Sequence, residues 1–258
     1  MTRYPRRALV ASPTPAAQAA AAELAEAADW VEAAQADVIV ALGGDGFMLQ
    51  TLHAMLAGRR PTPVFGMNLG TVGFMMNEWR HHGLDDRLER AKPFTVTPLS
   101  ATVQGNDGRT HQLPAINEVS LLRETRQTAK LEVTVNDRVV MPELACDGIL
   151  VATPAGSTAY NLSASGPILP LGSAMLALTP ISPFRPRRWR GAILPDKARI
   201  SLMVHDAGKR PVSAVADHRE IRDVARVDVC VDRSRELTLL FDPEHALDDR
   251  ITMEQFIA

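Results

Sequence analysis

Two cysteines in 258 residues, Cys146 and Cys230, are too few for a disulfide framework and fit a reducing compartment. A basic excess is missing as well. The 28 Lys and Arg stand against 30 Asp and Glu, a net charge of −2, which argues against a nucleic-acid partner. No apolar run is long enough to cross a membrane. Ile168–Phe184 comes closest, but Pro170, Pro180 and Pro183 interrupt it, and it falls short of the ~20 residues a spanning helix needs. Met1-Thr-Arg-Tyr-Pro-Arg-Arg7 carries basic residues with no apolar core of signal-peptide length behind them. These absences predict a cytoplasmic protein with neither membrane nor nucleic acid among its partners. A Gly-x-Gly-x-x-Gly is also lacking after the first predicted strand, where Ala11-Ser-Pro-Thr14 stands, which disfavours a dehydrogenase.

What is present describes a globular chain, 46 % apolar and 22 % charged, long enough for one large domain or two modest ones. Residues 7–12 read as a buried strand, followed by an Ala-rich helix from about Ala16 to Ala36 and a second strand, Asp37–Leu42. A helix over Phe47–Ala57 and a strand over Pro63–Met67 continue the alternation, which implies a parallel α/β sheet with ligands at the strand carboxyl ends. From about Phe94 the pattern becomes β-rich, with runs at Thr95–Val103, Glu118–Leu122, Lys130–Val135, Val139–Met141, Gly148–Ala152, Arg199–Val204, Val212–Val215 and Val224–Val231. The expected organisation is an N-terminal Rossmann-like α/β domain over 1–93 and a largely antiparallel β domain over 94–244. Ile168–Phe184, apolar and interrupted by proline, looks hard to bury within one small domain, which places part of it at a contact between subunits.

Two motifs carry chemistry. Gly43-Gly44-Asp45-Gly46 sets a carboxylate inside a glycine turn between a strand and a helix. Glycines admit a polyphosphate to the backbone amides, and a helix N-terminus favours an anion. A carboxylate repels phosphate, so Asp45 needs another reason to be there: a metal to hold, a hydroxyl to orient, or a proton to take. The plain alternative is a turn in which Asp45 caps the helix. The second motif runs from Asp147-Gly148 through Thr153-Pro-Ala-Gly-Ser-Thr-Ala-Tyr160-Asn-Leu-Ser163 to Gly166-Pro167 and offers many neutral donors and acceptors around one tyrosine.

Together with Asn117-Glu118, these motifs resemble those of the bacterial NAD kinases, in that family's order and rough spacing. The resemblance covers most of the chain. Phe47 stands where many related kinases have Thr, and Ala155 and Ser165 replace a commoner Thr and Gly. The resemblance implies a β-sandwich-like second domain and a C-terminal tail, about 245–258 with Leu247–Phe256 as its returning segment, that comes back to the first domain. It implies transfer of a phosphoryl group from ATP or polyphosphate to the 2′-hydroxyl of the adenosine ribose of NAD, with Mg²⁺ or another divalent cation, in a homodimer or homotetramer. Asp45 would be the proton acceptor, with Gly43, Gly44 and Gly46 at the donor phosphates. Phe74, Asn117, Glu118, Asp147, Ala155, Thr158, Ala159, Tyr160, Asn161, Leu162 and Ser163 would form the dinucleotide pocket, with Asp147 a candidate to reach a neighbouring subunit's ligand.

Alternatives read from the residues alone stay beside this. Asn117 reads as a strand-initiating turn residue and Glu118 as a solvated edge charge; a bend would be needed for both to reach one ligand. Phe74 reads as core and Cys146 as a small buried hydrophobe. His218 and the cluster Arg185, Arg187, Arg188 and Arg190 read as solvated loop charges. A lipid kinase sharing the glycine turn would need an apolar pocket for an acyl chain, and a non-catalytic NAD(P) sensor would have no use for Asp45.

Overall fold

The computed structural model describes residues 3–58, 61–70 and 73–243. The tail expected over 245–258 lies outside them. The chain divides into two compact units, Met1–Val96 with Arg235–Ala258, and Thr97–Ser234. The edges expected from the sequence are 93 and 244, whereas residues 94–96 and 235–243 fall in the first unit.

The first unit is built on a six-stranded sheet. Arg7–Ala11, Val38–Gly43, Val64–Asn68 and Leu237–Phe241 run parallel in that spatial order, Lys92–Val96 closes the sheet antiparallel, and the short Asn77–Glu78 pairs beside Val64–Asn68. Val38–Gly43 is buried along its whole length, as expected of a strand covered on both faces. Helix Pro15–Ala27 starts on Thr14, whose hydroxyl accepts the Ala17 amide, with Pro at the first helical position. Its Ala17, Ala20 and Leu24 pack on Val38, Val40 and Leu42.

This helix stops at Ala27, not Ala36. The Trp30 indole donates to the Leu24 carbonyl at 3.0 Å, and the Val31 amide donates to Arg7 O at 2.8 Å, so the chain is pulled out to the first strand. Alanine propensity loses there to a tertiary hydrogen bond. The late strand Leu237–Phe241 is locked in by a buried ion pair just beyond it, Arg87 Nη2 to Asp242 Oδ2 at 2.6 Å. Asn77 helps, donating to Gly66 O and Leu240 O at 2.9 Å each.

The second unit is two six-stranded antiparallel sheets. One has the order Arg138–Cys146, Ala129–Val135, Ile200–Val204, Val224–Val231, Leu99–Gly105, Thr110–Ala115; the other Ala192–Pro195, Met175–Ile181, Gly148–Ala152, Glu118–Arg123, Val212–Ala216, Arg219–Ile221. Inward residues of both meet in one core, among them Leu99, Leu131, Val227, Leu121, Ile149 and Leu178. Cys146 is part of that core, and burial pushes its thiol up to about 12, with the Asp147 charge adding to the effect. Asn136 and Asp137 turn one hairpin with φ of 49° and 62°.

The single run expected over Thr95–Val103 is two strands in different sheets, with Pro98 between them. Thr110–Ala115, Met175–Ile181 and Ala192–Pro195 are strands that the sequence pattern did not announce. Met175–Ile181 is the buried part of Ile168–Phe184: it pairs on both sides, and residues 176–180 are buried inside the unit, while Met175 and Phe184 are exposed. A continuous apolar strand is what an interior position demands, and the prolines that argued against a membrane span are tolerated here.

Candidate active site

In the first unit the strand Val38–Gly43 ends in the glycine turn, and helix Asp45–Ala57 begins at once, with Gly44 as its N-cap. Asp45 does not cap its own helix. Its carboxylate reaches to a second glycine loop, Oδ2 accepting the Phe74 amide at 2.7 Å and Oδ1 the Met75 amide at 3.0 Å. Gly73 must lack a side chain there, because a Cβ would collide with the Asp45 carboxylate. The turn therefore sets a carboxylate of fixed direction beside the N-terminus of a 13-residue helix, where the Phe47 and Met48 amides both donate to Gly44 O at 3.0 Å and the helix end favours an anion. Gly43 is buried, Gly44 half-buried and Gly46 exposed; Phe74 is half-buried and enters through its backbone.

In the second unit the hydroxyl-rich motif turns largely on itself. Thr153 Oγ1 donates to Ile116 O at 2.7 Å and accepts the Gly156 amide at 3.0 Å. Ser157 Oγ donates to Pro154 O at 2.7 Å and accepts the Leu169 amide at 3.0 Å. Asn161, fully buried, donates to Ser157 O at 3.1 Å and Pro167 O at 2.8 Å and accepts Thr179 Oγ1 at 2.6 Å. Ala155, Thr158, Ala159, Tyr160 and Leu162 are half-buried and Ser163 is exposed. Ser165, in place of the family's usual Gly, stands at φ 62°, the left-handed region that explains the glycine.

Asn117 and Glu118 sit against this loop. The Thr153 amide donates to Asn117 O at 2.9 Å, and Gly156 lies so close to the Asn117 carbonyl that a Cβ would overlap it. On the other side is a residue that the sequence does not single out. Asp217, at φ 53°, accepts the amides of Ile116 at 2.6 Å, Asn117 at 2.9 Å and Glu118 at 3.1 Å. Consecutive amides of a regular strand point opposite ways, so their convergence on one carboxylate is the bend that the pair needed.

Glu118 is not a solvated edge charge: it is 9 % exposed, and among the described residues its Oε2 has no hydrogen-bond partner. Burial, and after it the Asp217 charge, pushes its carboxyl from 4.5 up to about 7. Asn117 Oδ1 is likewise buried and unpartnered. Tyr160 is close enough that the Glu118 and Asp147 charges raise its phenol, after burial as the larger cause. Asp147 itself faces Arg123, with Nε 2.6 Å from Oδ1. The contact is an ion pair without hydrogen-bond alignment, since the same oxygen lacks a hydrogen-bond partner. His218 and Arg185, Arg187, Arg188 and Arg190 are exposed.

An apolar cavity of about 570 Å³ in the first unit is lined by Val10, Ile39, Phe47, Ala54 and Met55, among others. It would meet the pocket requirement set for a lipid kinase. Likeness to known proteins decides otherwise. The family model for the ATP-NAD kinase N-terminal domain matches residues 8–82, and that for the ATP-NAD kinase C-terminal domain matches 116–241. An NAD kinase of Rhizorhabdus wittichii is 68 % identical over 97 % of this chain and 98 % of its own, and one of Caulobacter vibrioides is 52 % identical over 98 % and 96 %. Among solved structures, yeast NADH kinase complexed with NADH superposes with a TM-score of 0.82 at 22 % identity over 97 % of this chain and 87 % of the other. An NAD kinase from Archaeoglobus fulgidus in complex with ATP gives 0.75 at 23 % identity over 96 % and 98 %. At such identities these two speak for the fold, while the bacterial relatives and the matched domains speak for descent: the chain belongs to the NAD kinase family.

Proposed function

We propose that this protein transfers the terminal phosphoryl group of ATP or polyphosphate to the 2′-hydroxyl of the adenosine ribose of NAD, giving NADP. The observation that carries the reading is the fixed carboxylate in a glycine turn at a helix N-terminus, in a chain that belongs to this family. Amides and helix terminus favour the donor phosphates. The second unit supplies buried acceptors, Asn117 Oδ1 and Glu118 Oε2, for which a ribose or adenine edge is a fitting partner.

In this reading Asp45 accepts the proton of the ribose hydroxyl as the phosphoryl group transfers. Its two amide bonds hold the carboxylate still, so the hydroxyl finds a base of set direction. Gly43, Gly44 and Gly46 give the donor phosphates backbone to lie on. The described residues hold no group of three His, Cys, Asp or Glu, which does not count against Mg²⁺, since that ion keeps several waters and needs few protein ligands. Bound there beside Asp45, the cation would offset charge on the transferring oxygens. Asn117, Glu118, Asp147, Thr158, Tyr160 and Ser163 are assigned to the dinucleotide, with Phe74, Ala155, Ala159, Asn161 and Leu162 shaping the pocket. We place the protein in the cytoplasm as a homodimer or homotetramer, a reading supported by family membership.

Purified protein with NAD, Mg²⁺ and either ATP or polyphosphate, scored for NADP by a coupled NADP-specific dehydrogenase, tests the assignment. NADP formation that depends on Asp45 is the expected result. Absence of NADP with both donors would overturn it.

A further inference from the structure

We propose that Asp217 is a positioning residue that sets the direction of Glu118 and, together with burial, favours its neutral form, in which the carboxyl presents an O–H to the dinucleotide. The inference rests on the reading of Asn117–Glu118 as part of the NAD pocket.

Its basis is geometric. One Asp217 carboxylate gathers the amides of Ile116, Asn117 and Glu118, and the Asp217 amide returns a bond to Glu118 O at 3.1 Å. Thr153 holds the same segment from the carbonyl side, through Ile116 O and Asn117 O. The backbone carrying Asn117 and Glu118 is therefore clamped on both sides, while their side-chain oxygens Asn117 Oδ1 and Glu118 Oε2 stay buried and unpartnered. A buried acceptor without a partner costs free energy, and a ligand that supplies the partner recovers it.

Charge decides which partner. Among the described residues, the ionisable groups that act on Glu118 are Asp217 from its turn and Tyr160 from the short helix of the hydroxyl-rich loop; its cross-strand neighbour Ala152 brings none. None of these offers a cation. Burial and the Asp217 charge act in the same direction, towards a neutral Glu118. A neutral carboxyl both donates and accepts, whereas an ionised one only accepts and would meet ribose oxygens and pyrophosphate as a like-charged group.

The consequence is a dinucleotide affinity that falls as Glu118 ionises, by up to about tenfold for each pH unit above its titration point. NAD binding to the full-length protein, measured by calorimetry from pH 6 to 9, should be flat at low pH and weaken through the neutral range. In Glu118→Gln, which is neutral at every pH and keeps a donor, the break should vanish. In Asp217→Asn one charge is lost, so the break should move to lower pH. The KM for NAD should rise several-fold with a smaller change in kcat, since the Asn carbonyl cannot serve every amide.

Infrared difference spectra supply a readout that needs no NAD: a protonated-carboxyl band present at pH 6, absent in Glu118→Gln, and lost at lower pH in Asp217→Asn than in the parent. A pH break that survives Glu118→Gln, or an Asp217→Asn protein with unmoved break and band, overturns the inference even if NADP is formed. Failure of the parent to form NADP overturns the functional reading alone, and the carboxyl band still decides the role of Asp217.

Discussion

The glycine turn of the first unit and the hydroxyl-rich loop of the second use polar groups in opposite ways. In the turn, a side chain serves the backbone: the Asp45 carboxylate takes the Phe74 and Met75 amides at the N-terminus of its helix. In the loop the donors and acceptors that look available from sequence are largely spent internally. Ser157 and Asn161 are fully buried, and Thr153 nearly so. What remains open lies next door, on Asn117 and Glu118. Much of the hydroxyl-rich loop thus works as a rigid backing, and the buried oxygens Asn117 Oδ1 and Glu118 Oε2 that lack a hydrogen-bond partner belong to residues packed against it.

The comparison is best broken at Asp45. Asp45→Asn should lower kcat by about 10²–10⁴-fold, the usual reach of a general base, and steady-state kinetics will read it. An asparagine can keep only one of the two amide bonds and turns an N–H towards the other donor. NAD binding by calorimetry must therefore accompany the rate: retained binding with lost turnover assigns the loss to chemistry, and near-parental kcat removes Asp45 as proton acceptor.

The loop should break through stability. Asn161→Ala removes three buried hydrogen-bond contacts and should cost about 3 kcal/mol in urea unfolding, with NAD affinity lost only in step with folding. A stable Asn161→Ala protein that no longer binds NAD would put Asn161 in direct contact with ligand.

Glu118→Gln sharpens the contrast from the other side. The unfolded chain ionises Glu118 near 4.5 and the folded one near 7, so the group costs nothing below the first value and its full cost is present above the second. The variant should therefore be more stable than the parent above pH 7, by at most roughly 3 kcal/mol, and unchanged below about pH 4.5. Thermal melts at pH 8 and pH 4 read the difference. The smallest effect belongs to Ser165→Gly, which relieves a left-handed backbone and should gain up to about 1 kcal/mol in the same melts.

Much of this was legible in the sequence. Glycine turns and buried strands are local features, so the parallel unit, the antiparallel unit and both motifs could be read from spacing. The losses occurred where distant residues decide. The helix past Ala27 yields to Trp30 and to the first strand. Met175–Ile181 has no alternation to announce it, because both its neighbours are strands and residues 176–180 are buried. Asp217 lies about a hundred residues from the amides that it holds, and the only local sign is an Asp placed just after a strand, where a positive φ is needed. Arg123 opposite Asp147 was missed for the same reason.

One connection bears on how the chain is made. Leu237–Phe241 lies between Val64–Asn68 and Lys92–Val96 in the first sheet, while the whole second unit is the uninterrupted stretch Thr97–Ser234. On a ribosome the inserted unit has all its strands before the outer one has its central piece. At synthesis rates of about 5–20 residues per second, the gap in the first sheet stays open for roughly seven to thirty seconds. During that interval Val64–Asn68 and Lys92–Val96 each present an edge to the cell, and the unit that carries the glycine turn is the last to close.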